Sequence, residues 1–542
     1  MTEQAYSLLD EPWIPCLTVD GATVEVSLLD LFHRAPDLRR VVGDLPTQGF
    51  ALLRLALAVL HRAVDGPADE DAWHDLWEAG GPPVSQIEAY LRGHADRFDL
   101  FHDKTPFLQV AGLHTAKGEF FGLERLIADV PAGHRFFSTR AGRGLASISP
   151  AEAARWLVHA QAYDVSGIKS HFIGDPRGKG GKVYPLGLGW AGYLGGMAVE
   201  GETLWETLLL NLVPLSLPDL VESGPADRAA WEADPPGPEP SPDVAGRPYG
   251  PVDLLTWPSR RMLLRREGDG VTGVLIGYGD PLTPQNQHLR EPMTAWRRSE
   301  AQEKKLGMPL VYMPLEHDPS RALWRGLAAI LPNVAPRGRD DDKPPRVTAG
   351  VVAWAGRALE RPAPVTLHAV GMVYGSNNSV VDDVVDDRLT VRLDLLADGS
   401  AAAQGMVVDA VAATDAAVLA LRNLASNLVR AAGGTDARLV DGARARAAEQ
   451  AYGALDQPFR SWLSTLGADS DVDAARTEWH DRARRTIDGL GQALVDAAGP
   501  AAWVGREVSG RRVTAPEAHA WFHAALLAAL PRPPRTQEAP HD

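Results

Sequence analysis

Val418-Leu419-Ala420-Leu421-Arg422-Asn423-Leu424-Ala425-Ser426-Asn427-Leu428 places apolar side chains at 418, 421, 425 and 428. Steps of three and four put those residues on one stripe of an α-helix, and such a stripe must be covered by another element. The run stands at the head of a change in composition, because residues 401–542 hold 36 alanines. Trp479, Ala483, Ile487, Leu490 and Leu494 form a second stripe, and Gly433-Gly434 ends the first helix. A helix from Asp441 toward Leu463 lies between them. Thr514-Ala515-Pro516-Glu517 is a capping box with proline in the first turn, and it opens a last helix through Trp521, Leu526 and Leu530. Four helices with short connections predict an antiparallel four-helix bundle over residues 396–530, followed by a flexible tail over 531–542.

Upstream the pattern is mixed. Helical periods appear at 50–64 and 152–162, and β-rich runs at 273–277, 346–354 and 365–374. The expected class is therefore α+β: a large mixed α/β domain over 1–395, then an all-α bundle. Residues 214–251 are proline-rich and include Asp234-Pro235-Pro236-Gly237-Pro238-Glu239-Pro240-Ser241-Pro242. Successive prolines remove backbone donors, so a long surface excursion, disordered in part, is expected there. Residues 336–345 read as a charged turn. No internal repeat is present.

Of the 542 residues, 45% are hydrophobic and 23% charged, which excludes a wholly disordered chain and a coiled-coil rod. The longest apolar run, 51–60, is interrupted by Arg54 and is too short to span a bilayer. Thr2, Glu3 and Gln4 stand where a basic, then apolar, leader would sit. One cysteine, Cys16, rules out an intramolecular disulfide and a Cys-based zinc site, so a cytoplasmic protein is expected. Net charge is −16, about −2 of it on residues 401–542 and about −14 on 1–400. That balance argues against a free-standing nucleic-acid binder, although basic loops or partner subunits can still neutralise phosphates.

Gly187-Leu188-Gly189-Trp190-Ala191-Gly192 fits G-x-G-x-x-G, but Pro185 interrupts the strand a dinucleotide site needs before it. Residues 167–196 are rich in glycine and carry Lys169, Lys179 and Lys182. Either a flexible surface loop or a basic loop able to approach a phosphate or a groove floor closely satisfies that composition. Asp382, Asp383, Asp386 and Asp387 are spaced to stack on one helical face, where they would form a solvated acidic face or hold a metal for hydrolysis. Gly375-Ser376-Asn377-Asn378-Ser379 offers amides that either cap a following helix or reach base edges. Nucleophile motifs are absent, and Cys16 follows Pro15 in what reads as an edge strand with no histidine near it in sequence.

Several stretches, in order, resemble the CasA family, the large subunit of the type I-E CRISPR Cascade complex. They are 7–15 (Ser-Leu-Leu-Asp-Glu-Pro-Trp-Ile-Pro), Phe98-Asp99-Leu100-Phe101 with Pro106-Phe107-Leu108-Gln109, His134-Arg135-Phe136-Phe137-Ser138, residues 161–170 from Gln161 to Ser170, and 374–379 from Tyr374 to Ser379. The resemblance implies a non-catalytic subunit, without cofactor or metal, that reads the protospacer-adjacent motif from the minor groove of duplex DNA. It implies help in opening the duplex for R-loop formation and in recruiting a helicase-nuclease. Its partners would be the other Cascade subunits, the crRNA and double-stranded target DNA. By the same resemblance Ser166, Gly167 and Lys169 stand at the family's glycine loop, and Asn377, Asn378 and Ser379 at its wedge. Phe136, Phe137 and Ser138 stand in a loop reaching the crRNA-bearing subunits. The family's lysine finger precedes the tryptophan that is here Trp296. No lysine occurs there, so Gln287, His288 and Arg290 are the candidates, and Arg290 is the cationic one. Two other readings remain: a metal-dependent hydrolase or nuclease using Asp382–Asp387, and a scaffold without DNA contact. The scaffold predicts that Gly167, Lys169, Asn377 and Asn378 lie far apart.

Overall fold

Alternate residues of β1 (Ile14–Thr18) turn inward, and the strand lies between β2 (Thr23–Val26) and β3 (Leu38–Val41) in an antiparallel sheet. Cys16 is thus on a central strand rather than an edge, and burial pushes its thiol up to about 12. A computed structural model describes residues 5–130, 145–334, 344–359, 361–508 and 510–532. Phe136, Phe137 and Ser138, and most of the charged turn and of the tail, lie outside the described residues. The chain divides into two compact units. One comprises Met1–Arg321, Pro336–Leu359 and Val365–Arg388; the other comprises Ala322–Ala335, Glu360–Pro364 and Leu389–Asp542.

In the first unit the 50–64 period is the helix Pro46–Ala63, and the 152–162 period is the helix Pro150–Tyr163. Arg54 survives inside its apolar run because Glu291 accepts two hydrogen bonds from it at 2.8 Å, and the Leu254 carbonyl takes a third. A short ribbon, β4 (Lys169–Ser170) with β5 (Lys182–Val183), follows the second helix. Next come β6 (Gly196–Glu200) and the long hairpin β7 (Arg260–Glu267) and β8 (Gly270–Tyr278). β9 (Trp296–Arg298) is central between β10 (Tyr312–Pro314) and β11 (Arg346–Val347). β12 (Pro364–Tyr374) pairs with β6 on one side and β13 (Val381–Arg392) on the other.

Three expectations are corrected here. Only the first two residues of the 346–354 run are strand; Gly350–Ala358 is a helix buried along almost its whole length. A continuously buried apolar segment has no period to distinguish helix from strand. The 214–251 excursion is fastened rather than loose. The Arg261 guanidinium donates to the Gly237 and Glu239 carbonyls, and Asp280 accepts from the Ser241 backbone and hydroxyl. Trp231, within the segment, is itself buried. The four aspartates of 382–387 lie on β13, not on a helix.

The second unit contains four long helices, Ala401–Ala431, Ala437–Leu463, Val472–Asp496 and Ala515–Ala529. The second helix begins earlier than Asp441, because the Asp436 carboxylate caps it from the Arg438 N–H. The capping box at Thr514 and Glu517 forms as expected. A short helix, Pro500–Val504, and the ribbon β14 (Arg506–Val508) with β15 (Arg511–Val513) are added to the four. Three-residue strands are too short to show a period. The bundle core stacks Trp462 on Trp479 at 5.3 Å, with the Phe459 ring edge-on to Trp479 at 4.8 Å. The segment Asp398–Ala431 is long and apolar enough to cross a bilayer, but 56% of its apolar window is buried inside the protein.

Candidate nucleic-acid interface

The loop at Gly167 starts where a helix is made to stop. Ser149 caps the N-terminus of Pro150–Tyr163, and Asp164 leaves helical geometry at the other end. Its carboxylate accepts from Lys169 Nζ at 2.6 Å and from Arg260 Nε. The same guanidinium donates through Nη2 to the carbonyls of Asp164, Val165 and Gly187 at 2.9, 3.2 and 3.0 Å. Burial alone would raise the Asp164 carboxyl, but Lys169 and Arg260 hold it below the usual carboxylate range. Burial pushes the Lys169 ammonium down against the pull of Asp164. The charge of Lys169 is therefore spent inside the protein.

Gly167 is fixed from β8. Its N–H donates to Tyr278 Oη at 3.1 Å, and that hydroxyl donates to the Gly167 carbonyl at 2.6 Å. A Cβ on Gly167 would meet only the Ser379 Cβ, at 4.0 Å, an ordinary contact. Nothing among the described residues demands glycine there. The G-x-G-x-x-G string serves as packing. A Cβ on Gly189 would lie 2.5 Å from the Ala162 carbonyl carbon, and one on Gly192 would lie 2.5 Å from the Tyr374 hydroxyl. Both glycines let the chain pass close behind the loop.

The second element is the turn from Gly375 to Val380 joining β12 to β13. Gly375 N–H donates to the Val380 carbonyl at 3.0 Å, and Asn377 and Asn378 both occupy the left-handed region, with φ of 57° and 55°. Asparagine tolerates that region better than other side chains with a Cβ. The residue that follows is strand, so the amides cap no helix. Ser376, Asn377, Asn378 and Ser379 are exposed, and neither asparagine amide makes a hydrogen bond among the described residues.

These two elements meet. The Ser166 N–H donates to the Asn378 carbonyl at 2.7 Å, and Tyr374 Oη donates to the Tyr163 carbonyl at 2.7 Å. They border a cavity of about 540 Å³, whose lining includes Arg125, Lys169, Lys182 and Ser379. Arg290 stands apart: its guanidinium pairs with Glu222 at 3.1 Å, and none of its contacts reaches the cluster. Gln287 is buried, and His288 packs edge-on to Tyr312 at 4.9 Å. Nothing in the local pattern marks Arg260, Tyr278 or Tyr374 as the anchors. The available signal was a charged pair, Arg260-Arg261, set directly before the apolar run Met262-Leu263-Leu264.

The aspartates of β13 do not gather. Four residues along a strand span ~13 Å. Asp386 is engaged with His368 Nε2 at 2.8 Å and Arg388 at 2.8 Å. Glu200 takes the opposite nitrogen of the same imidazole at 2.9 Å, so the two carboxylates do not converge on a point. Among the described residues no group of three or more His, Cys, Asp or Glu could hold a metal ion.

The family model for CRISPR-associated protein Cse1 matches residues 7–490. The chain belongs to the CasA/Cse1 family. A curated CasA/Cse1 of Thermus thermophilus is 33% identical over 337 residues, and the match spans 61% of each chain. The crystal structure of Thermobifida fusca Cse1 is similar with a TM-score of 0.89 at 47% identity, covering 97% of this chain and 98% of that one. The Acidimicrobium ferrooxidans Cse1 structure gives 0.83 at 31%, covering 98% and 100%. In this Cse1-family chain the mixed N-terminal region and the helical C-terminal region follow the order the resemblance implies.

Proposed function

We propose that this chain is the large subunit of a type I-E Cascade complex and reads the protospacer-adjacent motif of duplex DNA from the minor groove. One observation carries the reading: the hydrogen bond from buried Ser166 to Asn378 joins the half-buried Gly167 loop to the exposed asparagine turn, 212 positions apart in sequence, so one ligand can meet both. The minor groove offers few donors and acceptors, so a reader gains most from close backbone approach and a small number of amides. Gly167 supplies the approach, with no Cβ to hold a groove floor away. Asn377 and Asn378 supply groups that both donate and accept. Inserted at the first target pair, that turn opposes restacking, at a cost of a few kcal/mol per step that guide pairing then offsets.

Within this reading Lys169 positions the loop through Asp164, Ser166 ties the two tips together through the Asn378 carbonyl, and Ser379 braces its own turn by donating to the Ser376 carbonyl. Arg290 contacts DNA only if the duplex also crosses the Glu222 side of the unit. The subunit carries no catalytic step; cutting belongs to a helicase-nuclease recruited after the R-loop forms. The −16 charge fits a protein that docks on an RNA-filled assembly and meets DNA through a local surface.

The test is target binding by the complete guide-loaded complex, with and without this chain, on duplexes differing only in the adjacent motif. Gly167→Ala is expected to leave the melting temperature of the chain unchanged and to lower affinity for the correct motif at least tenfold, and Asn377→Ala/Asn378→Ala to flatten discrimination. Intact discrimination in both variants would overturn the assignment.

A further inference from the structure

The ribbon that leaves the Gly167 loop has one buried face and one open face. In its register Lys169 opposes Val183 and Ser170 opposes Lys182, so continuing it sets Ile168 opposite Tyr184. Val183 is 2% exposed, whereas Tyr184 is 61% and Ile168 54% exposed. Strand alternation thus sends Lys169 and Val183 inward, and Lys182 and Tyr184 outward together. Lys179 bridges Lys182 through both backbone hydrogen bonds, at 2.8 and 3.2 Å, which brings a second exposed lysine alongside. Neither lysine has an ion-pair partner among the described residues. The chain has only eight lysines, and three fall between 169 and 182. On a protein of charge −16, an open aromatic face beside two unpaired cations is complementary to a polyanion that exposes ring faces.

We propose that this outer face holds the first nucleotides of the displaced DNA strand, a base stacking on Tyr184 and the phosphates meeting Lys179 and Lys182. The inference rests on the duplex-opening reading above. A closed duplex buries its base faces; a single strand released beside Gly167 presents them. The ribbon begins two residues beyond Gly167, so the separated strand meets it at once. Sequence preference is not expected, because every base has a stacking face.

Permanganate oxidation of thymines at the first three displaced positions tests this in the assembled complex. One target is fully paired, and one carries a pre-melted bubble that needs no motif reading. The expected result on both is protection of at least one thymine in the wild type, reactivity raised severalfold by Tyr184→Ser, and protection kept by Tyr184→Phe. Lys179→Ser/Lys182→Ser is expected to lower the salt slope of the opened complex by about 1.4, at roughly 0.7 per phosphate on a single strand. Equal reactivity in wild type and Tyr184→Ser on the bubble target would overturn the proposal. So would a Tyr184→Ser complex that loses subunits, since the face would then be a protein interface, or one that binds an unopenable duplex less tightly. Failure of the motif reading would appear separately, as unaltered discrimination in Asn377→Ala/Asn378→Ala with the bubble footprint intact.

Discussion

Asp164→Asn isolates the clamp that holds the Gly167 loop. The substitution keeps the shape of the side chain and removes the anion that Lys169 and Arg260 share. All three side chains are at most 10% exposed, so two cations are left facing each other with little water. Removing one partner of a buried ion pair costs about 3–5 kcal/mol. In a unit of about 370 residues each kcal/mol lowers the melting temperature by about 1.3 °C, so a fall of about 4–6 °C is expected for the transition of the first unit. Lys169→Met behaves differently, because it removes a buried cation while Arg260 keeps its partner; its cost should stay near 1 kcal/mol. The double variant, Asp164→Asn/Lys169→Met, should recover about 1–3 kcal/mol of the single loss through the coupling of contacting sites. Urea unfolding of the full chain followed by tryptophan fluorescence gives the three values. The assembled complex with Lys169→Met should keep its motif discrimination and its salt slope. Additive losses in the double variant would refute the clamp. A salt slope reduced by about 0.9 in Lys169→Met would show instead that this lysine lies on a phosphate.

His368 sits between Glu200 and Asp386, with Arg388, Arg40 and His317 also facing the group. Burial lowers its pKa, but the hydrogen bonds to Asp386 and Glu200 prevail and hold it above its ordinary 6.5. A raised folded value contributes stability that is complete below 6.5 and is lost as pH rises through it, while Glu200 and Asp386, both lowered, lose theirs in acid. The urea midpoint of wild type should therefore exceed that of His368→Gln most near pH 5.5, with the gap narrowing by pH 8.5; a gap independent of pH refutes this. Trp479→Ala deletes a fully buried ring that stacks on Trp462 and donates to Thr414 Oγ1 at 2.9 Å, and should destabilise the helical unit by about 3–5 kcal/mol in calorimetry. Asn377→Val forces a β-branched residue into the left-handed region and should cost about 1–3 kcal/mol, whereas Asn377→Gly should not destabilise. Both should weaken motif discrimination, since both lack the amide.

The helical unit was legible because its signals are local and repeat. Residues 418, 421, 425 and 428 are all buried in the helix Ala401–Ala431, and the Thr514 box caps where four consecutive residues said it would. The long strand ending at Tyr374 has no such repeat and was legible from its β-branched and aromatic composition instead. What failed had no period of its own. The 350–358 segment is buried on every side, and the proline-rich segment is fixed by Arg261 and Asp280, charges that lie outside it in the chain. Composition could mark 234–242 as unable to form helix or central strand, but not that side chains elsewhere would satisfy its carbonyls.

The same limit separates the two halves of the candidate site. Gly167 and the asparagine pair stood out as residue types, yet a sequence alone cannot tell a lysine that faces a groove from one that faces a carboxylate. Lys169 and Lys182 differ by strand alternation: the first lies on the face that Val183 closes, the second on the face that Tyr184 leaves open. A loop that must approach DNA without a side chain in the way cannot also be held by that side chain, so its rigidity has to come from behind. Here it comes from Tyr278 on the Gly167 backbone, from Arg260 on three carbonyls and from Asp164 with Lys169. Preorganisation of this kind lowers the ordering cost of binding, which matters most to a reader that makes few contacts. A buried lysine beside a half-buried glycine then braces the loop from behind, as one of several supports rather than as a contact to the ligand.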